Sequence, residues 1–190
     1  MTLNFITWNV SPVAFTIPDM VPLLGGHEIR WYGILFAMAF VVGYWIMQRM
    51  FKKEGESEKL LDSLFTYMII FTIVGARLGH CLFYEPEYYL AHPVEILKIW
   101  EGGLASHGAS IGILIGLFFF SKQNKKSFLW TMDRVVIPVA IGGAFVRTGN
   151  LMNSEIFGHI TSLPWGFYFK HYYDPALTTD PRHPTQIYEA

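Results

Sequence analysis

Four stretches of the chain are apolar over lengths that suit a membrane. They run from about Trp31 to Met50, Leu60 to Tyr84, Leu104 to Phe120 and Val135 to Met152. Crossing the hydrocarbon of a bilayer takes about 20 mostly apolar helical residues. No water is present there to serve backbone N–H and C=O groups, so a helix is the state that satisfies them. The pattern predicts an all-α, polytopic helical membrane protein with about four transmembrane helices. It divides the chain into an N-terminal arm over 1–29, a four-helix transmembrane part over 30–153 and an extramembrane segment over 154–190. The last segment carries many Pro, Tyr, His and Asp residues and no spanning run.

Charges between the spans set an orientation. Arg49, Lys52, Lys53 and Lys59 follow the first span, and Lys122, Lys125, Lys126 and Arg134 follow the third. The connection between the second and third has Lys98 against Glu85, Glu87, Glu95 and Glu101. Lysine and arginine accumulate on the cytoplasmic side. The N-terminus is therefore expected outside, with the arm, residues 85–103 and the tail after Met152 on the outer face.

That topology sorts the polar residues that interrupt the apolar runs. Tyr32 opens the first span, Arg77 and His80 fall in the outer half of the second, and Ser106 and His107 begin the third. In the fourth, AFVRTGNLMNSEIFG brings Arg147, Asn150 and Asn153 to the outer end, with Glu155 just beyond. All are expected in one layer, near the outer leaflet, while the inner halves hold almost nothing ionisable. Lone arginines near helix ends can snorkel to headgroups, but several ionisable groups at one depth point to a functional site. Neither arginine has a carboxylate near it within its own helix, so an anionic ligand is the natural partner. A guanidinium grips phosphate with two hydrogen bonds, and in a membrane the abundant phosphate belongs to lipid.

Other residues have plainer readings. Arg147, Asn150 and Ser154 fall at helical steps of three and four, which puts them on one face. Gly142, Gly143 and Ala144, like Gly108, Gly112 and Gly116, suit close helix packing. R-x-G recurs in RLGH (77–80) and RTGN (147–150). His107 is either a hydrogen-bonded structural group or, with its near-neutral pKa, a proton acceptor. Cys81 reads as a small apolar packer. Asp133 reads as an N-cap or first-turn acid of the fourth helix.

Composition agrees and excludes some classes. Of 190 residues, 52% are hydrophobic and 15% charged, against about a quarter charged in soluble domains; mean hydropathy is +0.32. A net charge of −1 does not suggest a nucleic-acid partner. A single cysteine cannot form a disulfide within the chain or a multi-cysteine zinc site. His27, His92, His159, His171 and His183 lack tight ligand spacing. The opening residues MTLNFITWNVSP lack the positive flank and continuous apolar core of a secretory leader.

Three motifs resemble a known family. WEGGLASHGASIG (100–112), RTGNLMNSEIFG (147–158) and RHPTQIYEA (182–190) are similar to bacterial prolipoprotein diacylglyceryl transferases. The pattern R-x-G-N-x-x-N-x-E-x-x-G is met at Arg147, Gly149, Asn150, Asn153, Glu155 and Gly158, while RWYG (30–33) and GARLGHCLFY (75–84) fit in order. The resemblance implies a seven-span inner-membrane enzyme whose site opens to the outer leaflet. It would move the diacylglyceryl group of phosphatidylglycerol onto the lipobox cysteine of a preprolipoprotein signal peptide, with no cofactor or metal. It implies Arg147, Asn150, Glu155, His107 and Tyr32 as catalytic. Arg147, Arg77, Gly102, Gly103, Asn153 and Gly158 would hold the headgroup. Family members continue past HP-x-Q-x-YE into further helices, so the 190 residues alone are expected to show little or no activity. A transporter or channel for an anionic solute would need polar residues through the inner halves of the spans. A noncatalytic lipid-binding scaffold would tolerate Arg147→Lys.

Overall fold

The computed structural model describes residues 5–22, 25–99 and 102–190. Glu101, one of the loop charges invoked above, lies outside the described residues, as do Trp100 of the WEGG motif and the first four residues.

The protein is mostly helical, 62% of it, and four of the six α-helices among the described residues follow the apolar pattern. Helix α1 spans Trp31–Glu54, α2 Glu58–Phe83, α3 Pro86–Ala91, α4 Ser106–Gln123, α5 Phe128–Met152 and α6 Thr185–Tyr188. Three of them, α1, α2 and α5, with 24, 26 and 25 residues, are long and apolar enough to cross a membrane. Helix α4, the remaining expected span, has 18 residues. Ser106 and His107 at one end and Lys122 and Gln123 at the other make its ends polar.

The ends of the elements differ from the sequence reading for local reasons. Helix α1 runs on past Met50 because Lys52 and Lys53 suit the negative C-terminal end of a helix. Ser57 caps α2, its hydroxyl accepting from the Leu60 N–H at 3.2 Å. Helix α5 begins at Phe128, not Val135, and continues through Pro138. Asp133 is therefore inside the helix and does not cap it; no acid stands in the first turn. Arg134, which falls inside the lengthened helix, has its charge served by near and distant partners. It bonds Glu54 at 2.7 Å, the Trp130 carbonyl at 2.7 Å and lies 3.9 Å from the Trp130 ring centroid.

The parts expected to lie outside the membrane are not helical throughout. Among the described residues four short strands appear: β1 Ile6–Trp8, β2 Val13–Thr16, β3 Glu28–Arg30 and β4 Phe167–Phe169. β2 and β3 pair antiparallel, with a bulge between Val13 and Phe15. β1 and β4 pair parallel, Ile6 opposite Phe167 and Trp8 opposite Phe169. Arm and tail thus share a sheet, which no local pattern announces.

Two compact units result: Met1–Trp45 with Ile137–Ala190, and Ile46–Val136. This division cuts across the three sections drawn from hydropathy, because β1 pairs with β4. In the first unit Leu151, Phe167 and Phe169 form a core against Trp8 and Phe157. The Trp8 indole donates to the Leu151 carbonyl at 2.9 Å.

In the second unit, α2 and α4 cross on glycines. A Cβ on Gly79 would lie 2.6 Å from Gly108 Cα, and one on Gly75 would lie 2.8 Å from Gly112 Cα. Backbones this close exclude any side chain, the small-residue packing common between membrane helices. The expectation for Gly108, Gly112 and Gly116 holds, and its partners are Gly75, Gly79 and the Phe71 ring. Gly142 and Gly143 do not act this way. The nearest atom to a Cβ on Gly142 is 3.8 Å away, and a Cβ on Gly143 would meet nothing within 4 Å.

Candidate functional site

The polar residues singled out in the sequence fall into two clusters, one in each compact unit. The first forms where α5 ends. Asn153 N–H returns to the Gly149 carbonyl, Ser154 N–H to Leu151 at 3.0 Å and Glu155 N–H to Asn150 at 3.0 Å. Ser154 takes φ of +54°. A left-handed residue with bonds of this order is the Schellman way of closing a helix. Ser154 consequently leaves the helix, and the face shared by Arg147, Asn150 and Ser154 does not form. Ile156 also has φ of +54°. For a β-branched residue this is strained, at a cost of order 1–3 kcal/mol, and such strain gathers at functional sites.

The turn brings Glu155 back over the helix end. One carboxylate oxygen accepts from the Asn150 amide at 3.0 Å and from the Asn153 amide at 3.2 Å. Two amides on one oxygen fix the carboxylate without neutralising it. Asn150 Oδ1, Asn153 Oδ1 and Ser154 Oγ are buried without a hydrogen-bond partner, and so is Gln186 Oε1. Buried acceptors left unserved are uncommon in folded proteins and mark places that need an explanation.

The terminal motif folds onto this turn. Gln186 donates to the Glu155 carbonyl at 2.6 Å and the Thr185 hydroxyl to the Ile156 carbonyl at 3.0 Å. Gly158 is the contact point: its N–H bonds the His183 carbonyl at 2.9 Å, and a Cβ there would lie 2.7 Å from Thr185 Cγ2. Arg147 forms an ion pair with Glu189, its side chain one-third exposed. The carboxylate partner that Arg147 lacks within its own helix comes from elsewhere in the chain. Tyr32, at the start of α1, lies against Gly149, where a Cβ would come 2.8 Å from the ring.

The second cluster forms where α2 ends. Arg77 is 4% exposed. Its Nε–H donates to the Ile96 carbonyl at 2.9 Å, and Nη2 donates to Glu95 O at 2.6 Å. Nη1 donates to Gly102 O at 2.7 Å and Gly103 O at 3.3 Å. Gly102 and Gly103 have φ of +92° and +69°, a region that favours glycine. These glycines turn the backbone toward Arg77. His80 stacks on Tyr84 at 5.5 Å between centroids, and Tyr84 is 5.7 Å from the ring of His107. His107 is exposed and also meets Phe83 edge-on at 5.2 Å. Cys81 is fully buried.

Sequence reasoning missed Glu189, Gln186 and Thr185 as partners of the RTGNLMNSEIFG segment. It also missed Tyr84 beside His107. The spacing of Gly75 and Gly79 was readable in GARLG. Among the described residues no group of three or more His, Cys, Asp and Glu is placed to hold a metal ion.

A family model described as prolipoprotein diacylglyceryl transferase matches residues 18–190. A phosphatidylglycerol–prolipoprotein diacylglyceryl transferase of Tolumonas auensis is 50% identical over 184 residues, covering 96% of this chain and 67% of that protein. The chain belongs to the prolipoprotein diacylglyceryl transferase family. Proteins of the same name from Porphyromonas gingivalis and Chloroherpeton thalassium are 50% and 45% identical over the whole of this chain, and 67% and 66% of their own lengths are covered. The chain thus spans about two thirds of the length of these relatives. It is a member of a family of membrane transferases, and its long apolar helices make it multi-pass.

Proposed function

We propose that this chain serves the transfer of the diacylglyceryl group of phosphatidylglycerol to the lipobox cysteine thiol of preprolipoproteins, at the outer leaflet of the bacterial cytoplasmic membrane. The observation that carries the reading is Arg147, a partly exposed guanidinium at the end of α5. It stands in a motif whose amides and carboxylate are already fixed by one another.

The chemistry assigns the roles. The thiolate sulfur attacks the glyceryl carbon that bears the phosphate ester. A carbon–sulfur bond forms, the carbon–oxygen bond breaks, and glycerol phosphate leaves with the bonding electrons. The phosphate passes from one negative charge toward two, so a fixed cation beside it favours the transition state over the ground state. Arg147 is that cation, and Glu189 occupies its guanidinium until a phosphate displaces it. Asn150, Asn153 and Glu155 orient the headgroup, whose glycerol hydroxyls are donors of the kind that the amide oxygens lack. Tyr32 adds a hydroxyl beside them. His107 accepts the thiol proton, since the thiolate is the nucleophile. Gly158 keeps the terminal motif against the turn.

The test uses radiolabelled phosphatidylglycerol and a lipobox peptide. One arm holds the 190-residue chain in vesicles. The other holds a chimera in which this chain replaces the matching two thirds of the Tolumonas auensis relative. Label should reach the peptide in the chimera and vanish with Arg147→Ala. Undiminished transfer by that variant would sink the assignment of Arg147. No transfer by the parent chimera would sink the reading for this chain.

A further inference from the structure

Arg77 carries the same charge as Arg147, but its donors are differently spent. Four of the five N–H groups that a guanidinium offers point at main-chain carbonyls: those of Glu95, Ile96, Gly102 and Gly103. The Tyr89 ring centroid lies 5.0 Å from its Cζ. The Glu95 carboxylate is engaged by Lys98 at 2.7 Å, so carbonyl dipoles answer the charge of Arg77. The four carbonyls come from two separate stretches of the connection between α2 and α4. Glu95 and Ile96 lie in the 3-10 turn Pro93–Leu97, and Gly102 and Gly103 stand just ahead of α4. Two residues further on, Ala105 N–H bonds the Ala76 carbonyl at 2.9 Å, beside Arg77 itself.

A phosphate at this guanidinium would have to displace several charge-assisted bonds. Such bonds are stronger than neutral ones, and they are lost together only if the connection opens. Lysine could not replace this arrangement, because a point ammonium has three donors and no planar fork. The fit is close on the other side as well. A Cβ on Gly103 would lie 2.7 Å from Arg77 Nη1 and 2.5 Å from His80 Cδ2.

We infer that Arg77 is a positioning residue, not a ligand of the lipid phosphate. Its guanidinium clasps the connection onto the end of α2 and sets the first turn of α4, where His107 stands. The link to His107 chemistry rests on the function proposed above; the clasp does not.

The deciding experiment is hydrogen–deuterium exchange on the 190-residue chain in phosphatidylcholine nanodiscs containing phosphatidylglycerol, with Arg77→Lys and Gly103→Ala. Both variants should speed exchange of the amides of 102–109 about tenfold or more, with α5 unchanged, since exchange reports local opening. Affinity for phosphatidylglycerol should stay within about twofold of the parent, because no bond to phosphate is lost. In the chimera, kcat should fall while KM for phosphatidylglycerol holds. Gly103→Ala keeps the cation and presses a methyl against Arg77 Nη1 and the His80 ring, so it tests the fit of the connection apart from the charge. Unchanged exchange at 102–109 in both variants would overturn the inference. So would a loss of lipid affinity in Arg77→Lys with exchange unaltered. If the parent chimera transfers nothing, the functional reading fails and the exchange result still decides the clasp.

Discussion

Arg77 and Arg147 each stand in an R-x-G context near the end of an apolar helix, and the sequence treats them alike. Their surroundings do not. Arg77 is almost wholly buried and spends four donors on backbone carbonyls. Arg147 keeps a third of its side chain exposed and pairs with one carboxylate, that of Glu189. An anion can replace a carboxylate at little structural cost, because one anion takes the place of another. Carbonyls held by a folded loop are not exchanged so easily. Burial of a cation is therefore a poor guide to binding until the identity of its partners is known.

The comparison can be broken at several points. The largest effect is expected for Arg147→Ala in the chimera, where transfer should fall by about two to three orders of magnitude, as for loss of a group that stabilises developing charge. Arg147→Lys should recover little of it, since an ammonium cannot grip phosphate with two parallel bonds. Equal rates for Arg147→Lys and the parent would show that charge alone, without a two-bond grip, suffices at this position.

Arg77→Ala should instead show its main effect in stability. It removes the donor of four part-buried carbonyls, hydrogen bonds to a charged group being worth about 1.5–3 kcal/mol each, and thermal unfolding in detergent measures the loss. An unchanged midpoint would mean that the carbonyls are served some other way.

The glycines beside each arginine sharpen the contrast with smaller effects. Gly103→Ala forces a side chain into a left-handed backbone at about 1–2 kcal/mol and against Arg77. Gly158→Ala pushes Thr185 and His183 from the turn at Glu155, an overpacking that costs about 1–3 kcal/mol. Thermal unfolding should show both. The transfer assay should show Gly158→Ala raising KM for phosphatidylglycerol. Gly103→Ala should lower kcat.

The smallest effect is expected for Cys81→Ala, since Cys81 is fully buried and unable to meet a peptide thiol or a lipid. Transfer should stay within about twofold, with any change arising from packing. A large loss of kcat without loss of stability would make Cys81 more than a packer.

The sequence determined the helices and the cast of polar residues. Twenty-odd apolar residues in a row have one stable answer in a bilayer, because an unpaired backbone group in hydrocarbon costs too much. Arginine, asparagine and glutamate in such a run stand out for the same energetic reason. The glycine contact of α2 with α4 was partly legible, since spacing by four on a helix puts small residues on one face.

Tertiary structure decided what each polar group does. Glu155 meets Asn150 and Asn153 only because Ser154 turns the chain out of α5. Arg147 meets Glu189 only because the terminal motif returns to that turn. β1 finds β4 across most of the chain. Arg77 is the clearest case, for its partners are carbonyl oxygens. Every residue has one, so no letter of the sequence marks where four of them will converge, and only the folded path of the loop does.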